Sequence, residues 1–417
     1  MSRLFLFVML CTFFLTGIVP NSLGAAAAIT MVLGFIVAIP LIEWNRSLAR
    51  LLIMYLAGVV VTVTYIVVGM ANGATSIAAT QIFVTYICFP LVWIVNLTLL
   101  FRMLSVEQLK AWMVIFSFIG IGSVAVFFYL FLNFGVDAVL FFIDDPNINL
   151  KDGYSAATMH IYGSFIFLTG AFFAVPALVS NIATRYLLLG AFVLVAVTSG
   201  RSALIISIFI GAISGLVFLP RPDVAHVANR QNVVKSLCLL INKLLVLGVI
   251  GFMLALATDI DFNVIVGDFV NKLLSGGGTE RVEQADALLA SVKETFGMGA
   301  GHGVGVPYVR NEDYPWRYEL VWVATLHRVG ILGSIIYVLP FCICIMTFLN
   351  HWRNRVLTEM DVFMFSGFIS ALIASNTNPY IEAFSFQWMY ILPVVYFLIA
   401  TAERDKPVAP SSSMSVI

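Results

Sequence analysis

The sequence is poor in charge: Asp, Glu, Lys and Arg make up only 11% of its 417 residues, whereas soluble globular proteins carry about 25%. Hydrophobic residues make up 61%. Most side chains must therefore face lipid or one another, which excludes a soluble globular protein and predicts a polytopic membrane protein. The net charge is zero, so the chain lacks the basic excess of nucleic-acid-binding proteins and no such partner is expected.

A cysteine framework is also missing. The five cysteines lie in or beside apolar runs, and no Cys-x-x-Cys pair occurs. This distribution is typical of packing residues, so we expect no disulfide framework, no metal site and no cofactor. The sequence shows no internal repeat and no paired broken helices in matching positions of two halves, which disfavours the inverted-repeat transporter folds.

Apolar runs that could cross a bilayer, each approaching roughly 20 residues, recur about twelve times. The sequence predicts an all-α membrane protein with spans at 4–19, 25–42, 51–70, 82–101, 111–134, 157–179, 186–197, 203–219, 244–257, 322–349, 362–374 and 387–402. The first run could instead be a signal peptide, because the small residues of 24–27 follow it.

Lys and Arg are unevenly divided between alternate loops. If the N-terminus is inside, the short outer loops hold only Lys151 and Arg201. The positive-inside rule then places both termini in the cytoplasm. The predicted division is spans one to nine in 1–258, a large outer loop in 259–317, spans ten to twelve in 318–402, and a cytoplasmic tail in 403–417.

Two arginines on the outer side are candidate anion ligands. Arg201 begins a span beside Ser199 and Ser202, where backbone N–H groups and a guanidinium can bind phosphate together. Arg281 lies at the start of a predicted loop helix, 279–296, with one apolar face. The alternatives are a snorkelling arginine for Arg201 and a solvated or ion-paired charge for Arg281.

Glycine alternates with other residues in the run GMGAGHGVG, from Gly297 to Gly305. Glycine lets the backbone approach a ligand closely, and consecutive N–H groups can cradle phosphate. The spacing is not that of a dinucleotide-binding loop. His302 lies in this run and could be a base or an ordinary loop histidine.

Glu319 opens the predicted tenth span and could accept a proton from a sugar hydroxyl. The alternative is a carboxylate that only stabilises the helix dipole. Glu319, Val323 and His327 follow helical spacing, so Glu319 and His327 are expected to point into one cavity. Arg328 could pair with a carboxylate or a carbonyl elsewhere, since ionisable groups inside a span are rarely unpaired.

These motifs, in this order and on one side of the membrane, resemble the O-antigen ligase and polymerase family of bacterial cell-envelope glycosyltransferases. The likeness covers roughly 197–396 and rests on Ser-Gly-Arg at 199–201, Arg281, the glycine run, Tyr-Glu-Leu at 318–320, Arg-Val-Gly-Ile-Leu-Gly at 328–333 and the turn NTNPYIEAFSFQW.

The resemblance implies a metal-independent enzyme with a GT-C-like glycosyltransferase bundle in the bacterial inner membrane. Such enzymes transfer a glycan from undecaprenyl diphosphate on the periplasmic face. By this likeness Arg201 and Arg281 would hold the diphosphate. The candidate substrate-binding residues are Gly299, Gly301, His302, Gly303, Arg317, Tyr318 and His327.

Ligases of the family resemble one another in a histidine about eleven residues before the first glycine of the G-x-x-G pair, and Glu319 stands there in this chain. This difference favours a polymerase in O-antigen, exopolysaccharide or capsule synthesis, with Glu319 as the catalytic base.

The alternatives are a ligase that transfers glycan to lipid A-core, a transporter or flippase, and a membrane scaffold. A chain-length regulator and a flippase are candidate partners.

Overall fold

The structure is a computed structural model that describes residues 1–17, 23–140, 148–151, 154–157, 161–199, 201–219 and 279–400. The predicted ninth span (244–257), the first part of the large loop (259–278) and the tail (403–417) lie outside the described residues. Within the described ranges the regular secondary structure is helical apart from one antiparallel hairpin, β1 (Ile148–Lys151) and β2 (Tyr154–Ala157), in which Lys151 is opposite Tyr154.

The helices of the first half are α1 (Ser2–Gly17), α2 (Gly24–Ala38), α3 (Arg46–Ala71), α4 (Ser76–Phe83), α5 (Phe89–Met103), α6 (Val106–Phe134) and α7 (Val136–Leu140). Those of the second half are α8 (Ile161–Ala174), α9 (Ile182–Thr198), α10 (Ser202–Phe218), α11 (Thr279–Glu294), α12 (Val321–Arg353), α13 (Glu359–Ala374) and α14 (Trp388–Val395). A π-helical stretch, Val84–Cys88, joins α4 to α5, and another, Tyr396–Ala400, extends α14.

Five helical segments of the described chain are long and apolar enough to cross a membrane: Gly24–Leu41, Arg46–Ala71, Ser76–Met103, Val106–Phe134 and Val321–Arg353. Shorter apolar helices accompany them, including α1, α9 and α10. The predicted class, a helical membrane protein, agrees with these helices. The predicted loop helix at 279–296 is confirmed as α11.

Several helices begin where the local sequence supplies a cap. Ser105 and Gln108 form a capping box at the start of α6, and Thr358 and Asp361 form another at the start of α13. The Asn45 side chain accepts a hydrogen bond from the Leu48 N–H at the start of α3. These contacts satisfy backbone donors that the helix itself leaves unpaired.

The core is built where α8, α10 and α13 pack closely. A Cβ on Gly211 of α10 would lie 2.1 Å from the carbonyl oxygen of Gly170 of α8. The Ser366 hydroxyl of α13 donates to the same carbonyl at 3.0 Å. Small residues at helix contacts let backbones approach and allow short polar bonds, as in other membrane bundles.

Helix α12 is broken at Gly330, which has a φ of 65° and a ψ of −172°. Trp322 and Phe341 lie on opposite sides of the break, and their ring centroids are 6.2 Å apart. In a continuous helix they would be about 28 Å apart along the axis, at 1.5 Å per residue. The two segments therefore lie side by side.

The prediction of one uninterrupted tenth span, 322–349, is wrong, because the helix breaks at Gly330. Only the segment after Gly330 runs on to Arg353 as a continuous helix. The segment before Gly330 folds back against it, because Ile331 donates its N–H to the Gly297 carbonyl instead of continuing the helix (2.9 Å).

Candidate functional site

Arg281 lies in the first turn of α11 and contacts two other elements. Its Nε donates to Glu319 Oε2 at 2.8 Å. Its Nη2 donates to the Thr377 carbonyl at 3.1 Å. The side chain is about one quarter exposed, so it joins the loop helix to the chain after α13 and still reaches solvent.

Glu319 is bound through both carboxylate oxygens. Its Oε1 lies 2.8 Å from Arg310 Nη2, opposite the oxygen that Arg281 binds. Gln284 of α11 accepts hydrogen bonds from the backbone N–H groups of Glu319 and Leu320, at 3.0 and 2.9 Å. The carboxylate is thus held rigidly between two guanidinium groups.

His327 and Glu319 do not lie on one face of a regular helix, contrary to the sequence prediction. Helix α12 begins at Val321, so Glu319 precedes the helix and does not follow its spacing. His327 is 1% exposed. Its Nδ1 lies 2.9 Å from the Ser291 hydroxyl, and its Nε2 lies 3.2 Å from the Val304 carbonyl oxygen. In this structure it therefore fastens α11 to α12.

The turn after α13, residues 375–387, is the point where the arginines meet. Arg201 donates to the Tyr380 hydroxyl, and its guanidinium carbon lies 6.0 Å from the centre of that ring. Arg281 binds Thr377 of the same turn. Two arginines that are far apart in sequence are thus brought to one short segment.

Arg201 has one guanidinium nitrogen that makes no hydrogen bond to the described residues. Within the part of the chain that the structure describes, its Nε is buried without a hydrogen-bond partner. Its backbone N–H is bound to the Ser199 hydroxyl at 3.2 Å. Buried polar groups without a partner are uncommon, so this nitrogen is a reason to examine Arg201 as a ligand-binding residue.

A buried ion pair joins the turn 375–387 to helix α12. Arg328, 3% exposed, pairs with Glu382, 9% exposed. The Tyr86 hydroxyl donates to the same Glu382 oxygen at 2.8 Å, and Arg328 Nη2 donates to the Trp316 carbonyl at 2.7 Å. The prediction that Arg328 pairs with a carboxylate or carbonyl elsewhere is confirmed for both kinds of partner.

The glycine run packs between α3 and the break in α12. Gly297, Gly299, Gly301 and Gly303 all have positive φ values, from 72° to 101°. A Cβ on Gly69 of α3 would lie 1.9 Å from the His302 carbonyl oxygen. The backbones touch here, so no larger residue fits at Gly69.

Several N–H groups of the run are already bound. Those of Ala300, Gly301 and His302 donate to carbonyl oxygens of α12 and α3, at 2.8 to 2.9 Å. These three donors therefore build the loop and do not form a phosphate cradle. A role for Gly299, Gly301 and Gly303 in shaping the sugar site stays a prediction.

His302 is buried beside Tyr337, with Nε2 3.0 Å from the hydroxyl. The Thr62 hydroxyl donates to the Gly58 carbonyl and lies 2.7 Å from the Tyr337 hydroxyl. Tyr337 therefore donates to Thr62 and accepts from His302, which places the imidazole proton on Nε2. Burial, and then the charge of Arg328, lower the pKa of His302 to about 3.

The remaining predicted residues differ in exposure. Arg317 lies with its guanidinium carbon 4.6 Å from the centre of the Tyr314 ring and lines a small polar pocket. Tyr318 is fully buried, its hydroxyl accepts from the Val306 N–H at 2.8 Å, and burial raises its pKa. Arg317 can reach a ligand, whereas Tyr318 supports the loop from inside.

An apolar cavity of about 190 Å³ opens beside this polar region. Thr85 and Tyr86 line both the cavity and the polar pocket that contains Arg317, Arg328 and Glu382. Other wall residues come from α3, α5, α12 and α14 and include Leu51, Tyr55, Ile94, Tyr337, Phe341 and Val394. Along α3 the wall runs from Leu51 to Thr62, about 16 Å at 1.5 Å per residue.

No group of three or more His, Cys, Asp or Glu side chains that could hold a metal ion occurs among the described residues. The cationic groups at the turn are arginines, which bind anions without a metal.

Sequence reasoning missed Arg310 and Glu382 as members of the cluster. Arg310 lies in an irregular loop stretch and no local pattern marks its partner. Glu382 carries a usable signal, because it is an acidic residue in a short break between two apolar runs.

Neither the models of known protein families nor the curated proteins compared with this chain match it. The geometry of the cluster formed by Arg201, Arg281 and Arg310, with the adjacent cavity, is therefore the ground for a functional assignment.

Proposed function

We propose that this protein is an inner-membrane polysaccharide polymerase, which transfers a glycan from an undecaprenyl-diphosphate donor to a lipid-linked repeat unit. The observation that carries the proposal is the convergence of Arg201 and Arg281 on the turn 375–387, beside an apolar cavity. A lipid diphosphate has the matching chemistry, with an anionic head and a long apolar tail.

The proposed topology has about twelve spans with both termini in the cytoplasm and the large loop in the periplasm. Under this topology the arginine cluster lies on the outer side, where the positive-inside rule makes positive charge scarce. Arginines on that side suggest an anionic ligand, and a diphosphate head group is such a ligand.

In the proposed complex, guanidinium groups of Arg201 and Arg281 bind the diphosphate oxygens. Arginine binds phosphate in a bidentate manner and neutralises the charge that develops on the leaving diphosphate. The polyprenyl chain enters the apolar cavity next to Tyr86. Arg317 and the glycine run lie beside the sugar.

The transfer step is a substitution at the anomeric carbon of the donor. A hydroxyl oxygen of the acceptor sugar forms the new bond, and the bond between the anomeric carbon and the diphosphate oxygen breaks. Undecaprenyl diphosphate leaves with the electron pair. The hydroxyl proton passes to Glu319, the proposed general base.

The ion pairs of Glu319 suggest how donor binding prepares this base. One of its oxygens is bound to Arg281 and the other to Arg310. A diphosphate that takes over Arg281 would release one carboxylate oxygen to accept a proton. We propose this exchange of partners as the link between donor binding and catalysis.

The test uses cells that lack the chromosomal copy and express Arg201→Ala or Arg281→Ala at normal levels, with and without lipid A-core. The proposal predicts polymer on its lipid carrier in both backgrounds for the wild-type chain and its loss in both variants. Unchanged polymer length and yield in both variants would refute the site. Glycan transfer that requires lipid A-core would indicate a ligase.

A further inference from the structure

The large loop carries an exposed apolar tip directly after α11, formed by Phe296, Gly297 and Met298. Phe296 is 92% exposed and Met298 is 68% exposed. Phe296 has a φ of 50°, a left-handed conformation that costs free energy for a residue with a Cβ. Glycine usually occupies this position after a helix. The chain thus holds a large apolar ring away from the protein in a strained conformation.

The tip is held firmly against two long helices. The Gly297 carbonyl accepts the Ile331 N–H at 2.9 Å, just after the break in α12. The Tyr65 hydroxyl of α3 donates to the Met298 carbonyl at 2.6 Å. The tip therefore lies level with Ile331 on α12 and with Tyr65 on α3.

Both helices place the tip at the same height. The distance from Arg353 to Ile331 along α12 is about 33 Å, and that from Arg46 to Tyr65 along α3 is about 28 Å, at 1.5 Å per residue. The hydrocarbon core of a bilayer is about 30 Å thick. If the arginines mark the inner boundary, Ile331, Tyr65 and the tip lie at the outer boundary.

The surroundings of the tip fit this depth. Ile331 is 53% exposed and Leu332 is 72% exposed, and both lie where α12 emerges from the break. Tyr65 is a tyrosine at the boundary, where aromatic residues with polar ends are enriched. A Cβ on Gly297 would lie 2.9 Å from Ile331 Cδ1, so the exposed apolar residues of the loop and the helix adjoin.

We propose that Phe296 and Met298 anchor the large loop in the outer leaflet, with both side chains inserted at the boundary between phospholipid head groups and acyl chains. The anchor fixes the C-terminal end of α11 at the membrane surface, while Arg281 lies at the other end of the same helix. This proposal rests on the membrane orientation and does not depend on the proposed transferase activity.

The test uses the full-length chain with its native cysteines replaced, in nanodiscs of phosphatidylethanolamine and phosphatidylglycerol. A nitroxide is attached at Phe296→Cys or Met298→Cys. The reference positions are Ile335→Cys, on the exposed face of α12, and Glu312→Cys, in the exposed polar part of the loop. The ratio of relaxation enhancement by oxygen to that by a water-soluble nickel chelate reports the depth of each label.

The expected ratio at positions 296 and 298 is several-fold higher than at 312 and approaches the ratio at 335. A ratio equal to that at 312 would overturn the proposal, since it would place the tip in water. Low accessibility to both reagents would also overturn it, because the tip would then be covered by protein. Unfolding temperatures equal to that of the cysteine-free parent show that the labelled chains are folded.

Discussion

Glu319 accepts a hydrogen bond from Arg281 Nε on one carboxylate oxygen, at 2.8 Å, and its other oxygen pairs with Arg310 at the same distance. In the proposed mechanism, an anion that takes over Arg281 frees the carboxylate oxygen that this arginine binds. The pair would therefore link binding of the proposed diphosphate donor to the hydrogen-bond partners of Glu319.

The first prediction concerns Glu319→Gln. Loss of the base should lower kcat by about 10²- to 10⁴-fold. Because the competing carboxylate charge is gone, the donor KM should stay the same or fall. Steady-state kinetics with a lipid-diphosphate repeat unit measures both constants, with Glu312→Gln as the control in the exposed loop. An unchanged kcat would show that Glu319 is not the base.

A second prediction concerns the buried pair of Arg328 and Glu382. Removing one partner leaves an uncompensated buried charge, so Arg328→Met or Glu382→Gln alone should cost about 3–5 kcal/mol of unfolding free energy. The double variant should lose much less than the sum of the two single losses. Denaturant titration in mixed micelles measures these differences.

The exposed pair of Glu107 and Lys110 on α6 provides the control for that experiment. Surface pairs contribute about 0–1 kcal/mol, so Glu107→Gln should have little effect. The expectation would be contradicted if the losses of unfolding free energy in the Arg328 and Glu382 variants were each as small as the Glu107 effect and simply added in the double variant.

Two glycines test the contact between the glycine run and α3. Gly69→Ala should destabilise the protein by about 1–3 kcal/mol or more, because the new Cβ would meet the His302 carbonyl oxygen and the tightly packed contact has no room for it. Gly122→Ala on α6 is the matched control, since a Cβ there meets nothing within 4 Å. Thermal unfolding measures both variants, and equal unfolding temperatures would refute the close contact.

His302 gives a prediction for pH. Its pKa is lowered to about 3 in the folded protein from the ordinary histidine value of 6.5, so between pH 3 and pH 6.5 the unfolded chain binds one more proton than the folded chain. Stability from this group is complete above pH 6.5 and falls as the pH drops toward 3. His302→Gln should reduce the loss of unfolding temperature between pH 7 and pH 4.5. An identical pH profile in the variant would show that His302 does not contribute.

The sequence predicts the helical membrane class and the α11 helix well, because hydropathy and helical spacing are local properties. The sequence also singles out Arg201, as a cation on the side where the expected topology makes positive charge scarce, and Arg281, at the start of the predicted loop helix. Their approach to one turn was not identifiable, since it depends on the packing of α10, α11 and α13.

The break at Gly330 could not be read from the sequence. Gly330 lies in an apolar run that is typical of an uninterrupted span, and isolated glycines occur in intact membrane helices. The break depends on the bond from Ile331 to the Gly297 carbonyl, a contact between distant segments. The expected shared face of Glu319 and His327 was wrong for a different reason, because α12 begins at Val321 and Glu319 lies outside the helix.

The most direct measurement of the central proposal is an assay of the purified protein in detergent with a synthetic undecaprenyl-diphosphate repeat unit and no lipid A-core. The account predicts a ladder of longer lipid-linked products on a gel. In Arg281→Ala the rate should fall by about 10²- to 10³-fold, while Lys293→Ala, which removes an exposed cation from the same helix, should keep the ladder. The absence of any ladder with the wild-type chain, or an undiminished ladder with Arg281→Ala, would contradict the account.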